Sequence, residues 1–171
     1  MILETVKNPN LRITPNLEIF RGPKNPLSNF FETNIQIEDL HFISIEHVYQ
    51  YTKAKYHGLN DLAIDIQQAK SPRNAQLLGN TIVDIDNEWN KDKLEAKYEQ
   101  CPGFVQKIHN TSDKLLVEGT KNLFWASGLL PGETASTPIQ DWPGLNHLGY
   151  LLVELRAKLS QISGTSNYPS N

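Results

Sequence analysis

One cysteine, Cys101, and one methionine stand among 171 residues, so the chain has no partner for an internal disulfide and no cysteine set for a zinc cage. Its five histidines, at 41, 47, 57, 109 and 147, include no i,i+4 pair of the kind that places two metal ligands on one helix face. Neither a metal nor any other cofactor is expected. Charge of one sign is also lacking: 16 basic against 19 acidic residues give a net charge of -3, with no broad basic field to attract a phosphate backbone. Contact with nucleic acid, if made, has to be local. No apolar run approaches the ~18 residues of a membrane helix. The start, Met-Ile-Leu-Glu-Thr-Val-Lys-Asn-Pro, lacks the charged opening, apolar stretch and small-residue cleavage site of a secretory signal. An intracellular protein, cytoplasmic or nuclear, monomeric and with no membrane partner, is expected.

What is present is enough sequence for one domain with a real core. Residues 1–162 are assigned to it, and 163–171, rich in Ser, Gly, Asn and Pro, to a disordered tail. Residues 11–21 predict a short strand or two, with Leu17, Ile19, Leu11 and Ile13 facing inward. Ile35, Ile37, Leu40 and Phe42 bracket Glu38-Asp39 as a hairpin, and Ser44 caps a helix ending near Gly58. Short helices are expected over 61–70, 72–79, 90–98 and 103–110, and extended pieces over 114–118 and 123–125. Residues 128–143, with three prolines, read as a long loop, and long ordered loops often carry function. Leucines at 148, 151, 152, 155 and 159 mark 146–162 as the core helix. The expected class is therefore α+β, a compact single domain, mainly helical with a few short strands.

On a helical wheel Gln50, Lys53 and His57 fall within about 40° of Glu46, while Ile45, Val48, Thr52 and Tyr56 lie well round from them and Tyr49 stands between. A polar stripe of this kind is either a solvated face or a pocket wall. The preceding loop favours the wall: Ser28 and Asn29 offer small polar groups, and Phe30 and Phe31 are too apolar for a purely solvated loop. Trp89, set between the acidic run 84–88 and a polar helix, can stack on a planar base or plug the edge of the core. In Lys121-Asn122-Leu123-Phe124-Trp125, an extended segment puts Asn122 toward a pocket with Trp125 beneath it, whereas a turn has Asn122 bonding its own backbone. Gly144-Leu145-Asn146-His147-Leu148-Gly149 opens the last helix, with Asn146 as N-cap. Glycines there let a phosphate approach free amides, or simply accompany a capped helix.

Taken together, Pro26-Leu27-Ser28-Asn29-Phe30, Ile45-Glu46-His47-Val48-Tyr49-Gln50 with Lys53, Trp89, Asn122-Leu123-Phe124-Trp125 and Gly144–Gly149 through Arg156 resemble the NADAR superfamily over residues 19–160. That resemblance implies a mainly helical α+β fold and hydrolysis of N-glycosidic bonds. It carries two substrate classes: ADP-ribose joined to guanine bases in nucleic acid, and ribosylated amino-pyrimidine intermediates of riboflavin synthesis. Glu46, Lys53 and Asn122 match its catalytic positions. Trp89, Ser28, Asn29, Phe30, Tyr49, Gln50, Trp125, Gly144 and Asn146 are assigned to the substrate. Asn122 stands where many members carry Asp, and an amide cannot act as acid or base. The expected partner is an ADP-ribose-containing or otherwise ribosylated substrate, ADP-ribosylated DNA included, with hydrolysis of ADP-ribosylated guanine as the leading expectation. A non-catalytic ADP-ribose-binding module is the alternative that Asn122 keeps open.

Overall fold

The computed structural model describes residues 9–82 and 100–164. The fold is α+β and, among the described residues, mainly helical with a few short strands. Backbone contacts divide the chain into two units, Gly22–Asn110 and a second assembled from Met1–Arg21 with Thr111–Asn171.

The second unit is organised by a three-stranded sheet. Strand β1 (Leu11–Ile13) runs antiparallel to β2 (Leu17–Phe20), which runs parallel to β5 (Leu115–Glu118), with Leu17 opposite Leu115 and Phe20 opposite Glu118. As the central strand, β2 buries successive residues Glu18, Ile19 and Phe20 on both faces. Ile13, expected inward, is 59% exposed, because β1 is an edge strand. Helix α6 (His147–Gly164) packs on β5 and buries Leu148, Leu152, Leu155 and Leu159. It runs two residues past the expected end at Ile162, and 165–171 lie outside the described residues. Arg156 on α6 donates to Thr111 Oγ1 at 2.8 Å and to the Lys114 carbonyl at 2.9 Å, tying the helix to the turn before β5.

The expected long loop is ordered by its own elements. Pro131, at the first turn, opens helix α5 (Pro131–Ser136), whose Glu133 side chain accepts from the Leu130 amide, and a 3₁₀ turn follows at Ile139–Asp141.

The first unit begins with turns over 22–31 and the hairpin β3 (Ile35–Ile37) with β4 (Leu40–Phe42), whose turn holds Glu38 at φ 53°. Ser44 caps α1 (Ile45–Tyr56), its hydroxyl accepting from the His47 amide at 3.2 Å. Helices α2 (Asn60–Gln67) and α3 (Pro72–Gly79) pack against α1 around Ala54, Ala63, Ile66 and Ala75, and α4 (Pro102–His109) completes the described part. The helix expected over 90–98 lies outside it.

Candidate active site

Burial on α1 changes along the axis rather than around it. Every residue from Ile45 to Gln50 is buried, as are Lys53 and Ala54, while Lys55, Tyr56 and His57 are exposed. The polar stripe is therefore a buried row of Glu46, Gln50 and Lys53, from which His57 departs. Tyr56, grouped by the wheel with the apolar residues, is 68% exposed. The helix enters its unit N-terminus first, and the residues that begin it are enclosed whatever their chemistry.

A carboxyl, an amide and an amine sealed from water require partners. Glu46 is 6% exposed, and its Oε1 accepts from Gln50 Nε2 at 2.8 Å, one turn further along. Burial pushes the Glu46 carboxyl up to about 7; the Gln50 hydrogen bond and the positive charge of Lys53 act in the opposite direction and only partly offset it. Burial likewise lowers Lys53, with Glu46 opposing. The Lys53 ammonium lies 5.8 Å from the centre of the Tyr49 ring. Two turns of α1 thus carry a carboxyl poised between its acid and base forms at neutral pH, and an amine biased toward its nucleophilic form.

The loop before the helix is fastened to it. The Glu46 amide donates to the Asn29 carbonyl at 3.0 Å, and the loop is wound by Ser28, whose hydroxyl accepts from the Phe30 amide. Ser28 is buried; Asn29, Phe30 and Phe31 are half-buried. The Asn29 side-chain oxygen is enclosed without a hydrogen bond. His47, absent from the sequence assignment, is fully buried between Ser44 Oγ at 2.8 Å and the Ala69 carbonyl at 3.0 Å. The carbonyl can only accept, so Nε2 carries the proton and Nδ1 accepts from Ser44; burial lowers its pKa, consistent with a neutral structural imidazole.

The remaining assigned residues that are described lie in the second unit. Asn122 is exposed, and its side-chain oxygen accepts from the Phe124 amide at 2.9 Å and the Trp125 amide at 2.7 Å. Residues 123–125 form a turn, where an extended piece was expected: the asparagine captures the amides that a strand would have left for pairing. Trp125, Phe124 and His147 meet as an aromatic group with centroids 4.7 to 5.4 Å apart.

The start of α6 departs from the expected phosphate cradle. Amides of Gly144, Leu145, Asn146, His147 and Leu148 donate to the carbonyls of Ser127, Leu123, Ala126, Phe124 and Trp125. Those donors are no longer free for an anion. Asn146, at φ 49° and 1% exposed, accepts from the Glu118 amide at 3.2 Å and donates to the Leu116 carbonyl at 2.9 Å. Its side chain pins β5 and does not cap the helix. A Cβ on Gly144 would stand 2.2 Å from the Ala126 carbonyl oxygen, and one on Gly149 1.9 Å from that of Leu116. Packing of backbone on backbone, not ligand approach, requires these two glycines. Trp89 lies outside the described residues.

A sequence profile described as the NADAR domain matches residues 19–160. The chain is 29% identical over 161 residues to the chloroplastic riboflavin biosynthesis protein PYRR of Zea mays, covering 81% of this chain and 23% of that protein. It therefore spans about a quarter of the maize protein's length. It is 28% identical over 151 residues to an N-glycosidase of Nostoc punctiforme, covering 82% of this chain and 88% of that one. The NMR structure of the E. coli protein YbiA superimposes with a TM-score of 0.69 at 24% identity, over 95% of each chain. That likeness is one of fold.

Proposed function

The chain belongs to the NADAR domain family, and from that premise we propose that it is a hydrolase of N-glycosidic bonds in which Glu46 protonates the departing nitrogen. One observation carries this reading: a carboxyl enclosed at the start of α1, raised to about 7, that can hold a proton at neutral pH and release it as the bond breaks. In the reaction the anomeric carbon–nitrogen bond breaks with its electron pair passing to the nitrogen, which takes the Glu46 proton. Water adds to the anomeric carbon and its proton returns to the carboxylate, restoring the acid. Lys53, lowered by burial, supplies a second group. In a Schiff-base route the sugar ring opens to an imine of the base, the neutral Lys53 amine adds to its anomeric carbon and expels the base nitrogen as an amine, and water then hydrolyses the lysine imine to the sugar aldehyde and free Lys53. Direct hydrolysis needs no such attack, and Lys53→Arg separates the two: full turnover in that variant leaves direct hydrolysis.

For the substrate, a ribosylated amino-pyrimidine of the riboflavin type is the better-supported class. The relative named for riboflavin biosynthesis aligns with 81% of this chain. The amides at the start of α6, on which the expectation of a diphosphate ligand rested, donate to the carbonyls of residues 123–127. The test incubates the protein with the phosphorylated ribosyl amino-pyrimidine and, separately, with an ADP-ribosylated guanine oligonucleotide, following release of ribose phosphate or ADP-ribose. Release from the pyrimidine, lost in Glu46→Gln, is expected. Release from the oligonucleotide alone transfers the proposal to ADP-ribosylated guanine, and tight ADP-ribose binding with no release from either identifies a binding module.

A further inference from the structure

Gln50 is held from two sides. Its Nε2 donates to Glu46 Oε1 at 2.8 Å, while its Oε1, enclosed and without a hydrogen bond, lies against the last residue of α3. That residue is Gly79. A Cβ built there would stand 1.8 Å from Gln50 Oε1, 2.4 Å from Cδ and 2.9 Å from Cβ. The side chain of Gln50 therefore occupies the space that any residue other than glycine would fill. Gly79 is the last residue of α3 and has no positive φ that would require glycine there.

We propose that Gly79 and Gln50 are positioning residues for the Glu46 carboxyl: the empty side-chain space on α3 seats the Gln50 amide, which engages Oε1 of Glu46 and leaves Oε2 for the proton exchanged with substrate. The orientation follows from the partner: an ionised carboxylate only accepts, so the amide presents its NH₂ end to Glu46, which puts its oxygen against Gly79. Donation to the ionised carboxylate favours that form, so Gln50 holds the acid lower than burial alone would place it, in agreement with the direction of its influence on Glu46. The other charged groups near this face do not substitute for it. Lys53 shares α1 with Glu46; Arg73 of α3 is engaged with Gln76; Asp61 and Asp65 of α2 and His41 of β4 are exposed. The inference rests on Glu46 being the acid of the proposed reaction, but it can be read without turnover.

The experiment follows the Glu46 carboxyl carbon by NMR in the full chain labelled with ¹³C-glutamate, the signal being assigned by its loss in Glu46→Gln. In the wild type and in Gly103→Ala, where a Cβ meets nothing within 4 Å, the midpoint is expected near 7. In Gln50→Leu it rises by about one pH unit, as loss of a hydrogen bond to a charged group implies. Gly79→Ala reproduces that rise, although residue 79 has no polar side chain in either protein. An unmoved midpoint in Gln50→Leu, or in a folded Gly79→Ala, overturns the proposal. If Gly79→Ala does not fold, the Gln50→Leu midpoint decides: a rise supports the proposal and an unmoved midpoint overturns it. A wild type that titrates near 7 yet turns over neither substrate defeats the proposed function and leaves standing the seating of the Glu46 carboxyl by Gln50 and Gly79.

Discussion

At the scale of single residues, Glu46 is an expensive group to enclose, and its protonation sets the sign of that cost. Its folded value, about 7, lies above the unfolded 4.5, so the folded state holds the proton more tightly. The associated stability is complete below pH ~4.5 and is lost as pH rises through ~7, a difference on the order of 3 kcal/mol. Glu46→Gln is therefore expected to abolish hydrolysis while raising the melting temperature, most above pH ~7 and least near pH ~4. Thermal unfolding at the two pH values checks this. Lys53 has the opposite sign: its folded value is lowered, so its contribution falls as the medium becomes more acid. Lys53→Met is expected to stabilise the fold at neutral pH and to narrow the difference in alkali, measured by denaturant titration. Sequence alone selected Glu46, Gln50 and Lys53, because four polar residues at i, i+4, i+7 and i+11 share a line. It did not separate His57 from them, since periodicity reports the face of a helix and not how deeply each end is buried. Gly79 was passed over as an ordinary helix end; its role depends on Gln50, a residue of another helix.

At the scale of elements, two connections determine how the functional segments are presented. Ser44 caps α1 and also donates to His47, so the helix start, the imidazole and the Ala69 carbonyl form one hydrogen-bonded chain. Ser44→Ala is expected to lower stability by about 1–2 kcal/mol, read by urea unfolding. The other connection is Asn146. Removing its side chain leaves the Glu118 amide and the Leu116 carbonyl without that partner in the interior. Asn146→Ala should cost on the order of 3 kcal/mol. Asn146→Gly, which accepts φ 49° without strain, should lose less. If the two variants are equally stable, backbone conformation contributes nothing there. The hairpin turn at Glu38-Asp39, the cap at Ser44 and the span Pro72–Gly79 were legible because each is set by local chemistry. The turn at 122–125 was not: both an extended segment and an asparagine-wound turn satisfy the same five residues. The amides at the start of α6 were also illegible, because their partners come from a segment some twenty residues earlier in the chain.

At the scale of the whole molecule, the absence of a basic field carries a prediction of its own. With a net charge of -3, turnover of a small ribosylated base should depend little on salt, changing KM by less than about tenfold between ~50 and ~200 mM. An enzyme drawing on many phosphate contacts loses far more over that range. A steep dependence would favour a nucleic-acid substrate. The α+β class was readable from short alternating runs and a leucine-spaced final helix. The division into Gly22–Asn110 and the segments on either side of it was not, because neither a linker nor a change of composition marks the boundaries. The most direct measurement of the central claim is the pH dependence of kcat/KM for hydrolysis of the ribosylated amino-pyrimidine, from about pH 5 to about pH 9. With Glu46 as the acid, activity falls as pH rises, with a midpoint near 7, and Glu46→Gln shows none of it. A flat profile across that range, or a Glu46→Gln variant that retains turnover, would contradict the account.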